Sequence, residues 1–234
     1  MAGNSIAAAG AAWRPSRGLG FNLGARAARV NRNSYYAPGV TEERTAISRE
    51  DVNALPIRRW DGAVHVVSGA HDAAAALGQI RAETVVGFDT ETRPAFRAGE
   101  SYLPSLAQVA TAHAVYLFQV SHREVAAAVG EVIASEHIVK AGVGMADDLK
   151  SLRKVIEFAE KSIVDLGAAA KRSGHKQSGV RNLVAHFLGY RIPKGAKTTN
   201  WARPRLSPQQ IAYAATDAWA CRELYLEFRS RGLV

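Results

Sequence analysis

The sequence predicts an α/β fold, one mixed sheet flanked by helices and preceded by a flexible N-terminal tail. Three observations carry that expectation. Thr84–Asp89 is a continuous β-branched and aromatic run of the kind that fills a strand buried on both faces. Two further strand-like stretches follow it as a hairpin, and beyond them strand-like and helix-like stretches alternate. The 234 residues are 47% hydrophobic and 22% charged, globular proportions that exclude a wholly disordered or collagen-like chain.

Residues 1–46 are rich in Ala, Gly, Arg and Asn without a sustained period, and Gly10, Gly18, Gly20 and Gly24 would interrupt any helix. They read as a flexible basic tail, and order begins near Ile47. Val64–Val67 is a short apolar strand, followed by a helix over 71–81 and the buried strand 84–89. Ser105–Thr111 and Ala114–Gln119 are strands joined through Ala112-His113. A helix over 122–135 leads into strand Ile138–Gly144, and a second helix over 146–160 leads into the short strand Ser162–Leu166. Helices over 179–188 and 207–229 close the chain, the last with Ser207 as N-cap and Pro208 at its first position. No internal repeat is present, so residues 47–234 read as one domain.

The single cysteine, Cys221, excludes an internal disulfide framework and a Cys-based zinc site. No apolar run reaches the length of a membrane span, which predicts a soluble chain with no membrane partner, cytoplasmic unless the tail is a targeting segment for an organelle or the nucleus. The formal charge of +9 is unevenly spread. Residues 1–40 hold five Arg and no acid, and residues 166–216 hold nine Lys and Arg and no acid, leaving the rest mildly acidic. Folded surfaces usually intersperse signs, so a one-signed tract points to a polyanion such as a phosphate backbone.

Asp89 and Glu91 end the most buried strand, and at i and i+2 their carboxylates point to one face. Either the strand simply ends there and both acids lie in solvent, or two anions so placed need compensation, which a divalent cation with oxygen preference, such as Mg²⁺, supplies. Tyr213 and Asp217 stand at i and i+4 on one face of the last helix, among the small residues Ala212, Ala214, Ala215 and Ala218, which let a helix pack close to a sheet. Gly142 and Gly144 allow a tight strand-to-helix turn before Asp147 and Asp148. Spacing alone does not choose between those two acids, because helical neighbours point about a hundred degrees apart.

Taken together, FDTET at 88–92, AGVGMADD at 141–148 and YAATD at 213–217 resemble the three motifs of the proofreading-type 3′→5′ exonucleases. More narrowly they resemble the branch that holds ribonuclease D and the exonuclease domain of the Werner syndrome protein, over about Val64 to Phe228. Asn200 before Trp201 is similar to the Werner-like branch, whereas ribonuclease D usually has Asp there. The resemblance implies a ribonuclease H-like mixed sheet of five strands. It also implies catalytic roles for Asp89, Glu91, Asp148, Tyr213 and Asp217, the four acids as metal ligands and the tyrosine orienting the attacking water. Asp148 is thereby selected over Asp147. The implied cofactors are two Mg²⁺ or Mn²⁺, one held by Asp89, Glu91 and Asp217, the other by Asp89 and, through water, Asp148.

The expected reaction is hydrolysis of the terminal phosphodiester of DNA or RNA at a free 3′ end, releasing nucleoside monophosphates. Lys194, Lys197, Arg203 and Arg205 are expected to track phosphates, with Trp201 either a base-stacking platform or a core side chain. The alternative is a catalytically inactive nucleic-acid-binding module of the same fold.

Overall fold

The computed structural model describes residues 45–97, 99–195 and 199–234. The expected tail, 1–46, therefore lies almost wholly outside the described residues. In chain order the elements are α1 (Arg49–Ala54), β1 (Ala63–Val67), α2 (Ala70–Ile80), β2 (Val85–Thr92), β3 (Pro104–Ala110) and β4 (Ala114–Gln119). They continue with α3 (Arg123–Ala134), β5 (Val139–Gly142), α4 (Met145–Leu152), β6 (Ile163–Asp165), α5 (Leu166–Arg172) and α6 (Val180–Leu183). A π-helical turn over Val184–Leu188 extends α6, and α7 (Pro208–Ser230) follows.

The strands form one sheet in the order β1-β4-β3-β2-β5-β6. The pairs β2–β3 and β3–β4 are antiparallel, whereas β1–β4, β2–β5 and β5–β6 are parallel. The sheet has six strands rather than the five implied by resemblance. The two short outer strands, β1 against β4 and β6 against β5, both complete edges that would otherwise leave backbone groups unpaired. Strand β2 also runs further than the apolar composition indicated, through Glu91 and Thr92, because pairing with β3 continues past the last apolar side chain.

Helices cover both faces. On one, Val86, Phe88, Ala107, Val109 and Phe118 pack against α2, α3 and α4. On the other, Leu106, Ala110, Val115 and Leu117 pack against Ala214, Ala215 and Ala218 of α7, while Val85 and Ala141 meet α5, α6 and more of α7. The helix expected over 146–160 ends at Leu152. Leu152, Val155 and Ile156 continue the helical spacing, but Ile156 turns inward against Gly130 of α3, where a Cβ would lie 2.9 Å from its Cγ2. Helices α1 and α5 were not expected from periodicity, being too short to show one.

Helix α7 is built as its sequence indicates: Ser207 and Gln210 form a reciprocal capping box and Pro208 occupies the first turn. It also lies unusually close to β2. A Cβ on Gly87 would strike the Ala218 carbonyl oxygen and stand 2.8 Å from the Arg222 nitrogen, so the glycine is what permits this approach.

Candidate active site

That close approach brings Asp217 to β2. Asp89 and Glu91 share the α7-facing side of β2 with their cross-strand partners Gln108 and Leu106. One carboxylate oxygen from each of Asp89, Glu91 and Asp217 lies within 4.8 Å of the others. Glu91 and Asp217 are buried, at 8% and 6% exposure, and Asp89 is half-buried. Like charges at that spacing repel by about 3 kcal/mol per pair at an effective dielectric near 20. An oxygen-only donor set of three carboxylates fits a hard divalent cation such as Mg²⁺ or Mn²⁺, and such an ion would reverse the repulsion.

Tyr213 stands one turn before Asp217 and its phenol hydrogen-bonds that carboxylate. Burial first, then the charges of Asp217, Glu91 and Asp89, push the phenol well above its ordinary range, so the hydroxyl keeps its proton at neutral pH. It can therefore orient a neighbour by hydrogen bonding, and it is not a base.

Asp148 comes from the other side of the sheet. It lies in the first turn of α4, which packs with Phe88 on the α2/α3/α4 face, and it stands outside the three-carboxylate group. Burial raises its pKa; the nearby Thr90 hydroxyl opposes that, and the charges of Asp147 and Asp165 add to it. Thr90 points away from Asp89 and Glu91, so β2 has carboxylates on both faces. Asp147 is exposed, whereas Asp148 is half-buried.

A residue that periodicity does not single out fixes this turn. Gly144, the N-cap of α4, is in the left-handed region with φ 73° and has no side chain to cap the helix. Asp165 does so from β6: its carboxylate accepts from Gly144 N at 3.2 Å and Met145 N at 3.0 Å, and also from Ala168 N at 3.0 Å at the start of α5. One side chain thus caps two helices. An acid between a short strand and Leu166-Gly-Ala-Ala-Ala is the signal that would have revealed it.

The expected nucleic-acid residues fall into three groups. Lys194, Arg203 and Arg205 are exposed, and Gln119 at the end of β4 holds the 203–204 backbone by donating to both carbonyls at 3.2 and 3.1 Å. Lys197 lies outside the described residues. Trp201 corrects the expectation of a base-stacking platform: it is 1% exposed, packed with Leu106, Leu117 and Ala214, and its ring centre lies 6.0 Å from that of Tyr213. An indole buried this fully has no free face to offer a base. His186 packs edge-on against His175 and Phe187, His175 is tilted on Phe187, and neither histidine belongs to the carboxylate group.

The profile of the 3′-5′ exonuclease family matches residues 64–232. Among curated proteins the chain is similar to the human exonuclease mut-7 homolog, 28% identical over 200 residues, 73% of this chain and 23% of that protein. It is also similar to the mouse bifunctional 3′-5′ exonuclease/ATP-dependent helicase WRN, 27% identical over 82% of this chain and 14% of that protein. The matched region is thus under a quarter of either relative's length. Among solved structures, the Aedes aegypti Nibbler EXO domain superposes with a TM-score of 0.65 at 24% identity, covering 76% of this chain and 92% of that one. Escherichia coli RNase D gives 0.61 at 19% identity, over 73% and 46%. These superpositions establish a shared fold.

Proposed function

We propose that this chain, which belongs to the 3′-5′ exonuclease family, hydrolyses the terminal phosphodiester of DNA or RNA from a free 3′ end and releases nucleoside monophosphates. The observation that carries the reading is the convergence of Asp89, Glu91 and Asp217 from β2 and α7 to within 4.8 Å. The domain so defined is 47–234, with 1–46 as a basic N-terminal segment.

Asp89, Glu91 and Asp217 would hold one Mg²⁺ or Mn²⁺, and Asp89 with Asp148, the latter through water, a second. Bound there, such ions would supply Lewis-acid chemistry, lowering the pKa of water and offsetting negative charge at the leaving oxygen. The protein's own part is geometric. Strand β2 fixes Asp89 and Glu91, α7 fixes Asp217, and the Asp165-capped turn presents Asp148 from across the strand. Tyr213, kept protonated and anchored on Asp217, positions the attacking water. Lys194, Arg203 and Arg205, with Lys197, bind the phosphates upstream of the scissile bond.

The decisive experiment uses matched 5′-labelled DNA and RNA oligonucleotides with free or blocked 3′ ends, with Mg²⁺, Mn²⁺ or EDTA. Metal-dependent shortening from free 3′ ends alone is expected. Retention without shortening under every metal condition would leave the inactive binding module. No helix among the described residues is long and apolar enough to cross a membrane. A cytoplasmic location is part of the proposal. Imaging a fluorescent fusion with and without residues 1–46 tests it: organellar or nuclear signal lost on removal would assign that segment a targeting role.

A further inference from the structure

Gly195 lies between the π-helical turn and α7, beside Lys194, and its backbone packs directly on the ring of Tyr213. A Cβ placed on Gly195 would overlap Cδ2 and Cε2 of that ring and stand 2.5 Å from Cγ. Gly195 is not among the positive-φ glycines, so the position uses the missing side chain and not the backbone freedom. The ring is also flanked by buried Trp201. Thr199 and Asn200, just before Trp201, are tied to α7, because Gln210 Nε2 donates to Thr199 Oγ1 at 3.1 Å and to the Asn200 carbonyl at 3.2 Å.

We infer that Gly195 is a positioning residue for the exonuclease reaction: its bare backbone seats the Tyr213 ring so that the phenol reaches Asp217 and the attacking water. The inference rests on the proposed function. A larger residue at 195 must push the ring off its seat, and a displacement of about 1 Å at a reacting geometry can cost on the order of a hundredfold in rate. Substrate binding should change little, since Arg203 and Arg205, held through the Gln119 contacts to their backbone, stay in place.

The test is a double-mutant cycle between Gly195→Ala and Tyr213→Ala, read as kcat and KM on a 3′-terminated oligonucleotide. Gly195→Ala should lower kcat about tenfold or more with Tyr213 present, and less than about twofold when Tyr213 is already Ala, with KM held within about twofold throughout. Equal losses of kcat in both backgrounds, or a loss confined to KM, would overturn the inference. Should Gly195→Ala unfold the domain, the double variant lacks the overlap and should regain the melting temperature of Tyr213→Ala alone; failure to do so counts equally against it. A readout independent of turnover is the NMR spectrum of ring-labelled tyrosine, with the Tyr213 signal assigned by Tyr213→Phe. That signal should shift in Gly195→Ala. A wild-type protein that degrades nothing, with this shift present, would refute the exonuclease reading and leave the contact standing; an unmoved signal would refute the seat itself.

Discussion

Lys140 is wholly buried on β5, where its ammonium donates to the carbonyl oxygens of Ser135 and Ile138 at 2.6 and 2.8 Å. Burial pulls its pKa down to about 8 from 10.5. The unfolded chain therefore binds more protons between those values, and stability should rise with pH from about 8 to about 10.5, by roughly 3 kcal/mol in all. Below about 8 both states are protonated and the penalty is constant. Urea unfolding across pH 7–10.5 should show that rise, and Lys140→Met should flatten it. At the carboxylates, Asp89→Ala and Asp217→Ala should each remove several kcal/mol of transition-state stabilisation and nearly abolish turnover. Tyr213→Phe should cost less, because it leaves the three carboxylates in place. Single-turnover rates in Mg²⁺ check the order, and wild-type rates in Asp217→Ala would refute the scheme.

Among the elements, the fit of α7 against β2 and the capping of α4 decide where the acids stand. Gly87→Ala drives a methyl into the Ala218 carbonyl, and overpacking of this kind costs about 1–3 kcal/mol. It should lower the melting temperature and, by shifting Asp217, lower kcat as well. Asp165→Ala removes the cap from two helices, at about 1 kcal/mol or more each. Thermal unfolding should register the loss, and kcat should fall because the turn bearing Asp148 is freed. Much of this architecture was legible in sequence. Asp89 with Glu91 and Tyr213 with Asp217 follow from the periods of a strand and a helix, and Ser207-Pro208 marks the start of α7 in its own chemistry. What escaped depends on partners distant in the chain. Gly87 and Gly195 carry no signal until another element packs on them, and Asp165, besides capping α5 locally, caps α4, which ends well before it in the chain. Ile156 continues a helical period that α3 then interrupts. Trp201, set among basic residues, reads alike in sequence whether it faces solvent or core; only the packing of α7 decides it.

For the molecule as a whole, the proposed phosphate contacts would set affinity and its dependence on salt. Lys194, Arg203 and Arg205 are exposed on the stretch leading into α7. Replacing all three with Ala should weaken oligonucleotide binding across sequences and lower the slope of log K against log[salt] by roughly two to three. Fluorescence anisotropy in EDTA at several salt concentrations measures it, and an unchanged slope would take these residues off the binding surface. The two-sided supply of carboxylates to β2 has a consequence for folding. Asp89 and Asp217 lie more than half the chain apart, and α4 and α7 must settle on opposite faces of a completed sheet before the four acids can coexist near one strand end. Contacts of such long sequence separation form late, after loop-closure entropy has been met. In refolding from urea, recovery of nuclease turnover should trail the return of helical circular dichroism, and a chain truncated before α7 should show no turnover at any point.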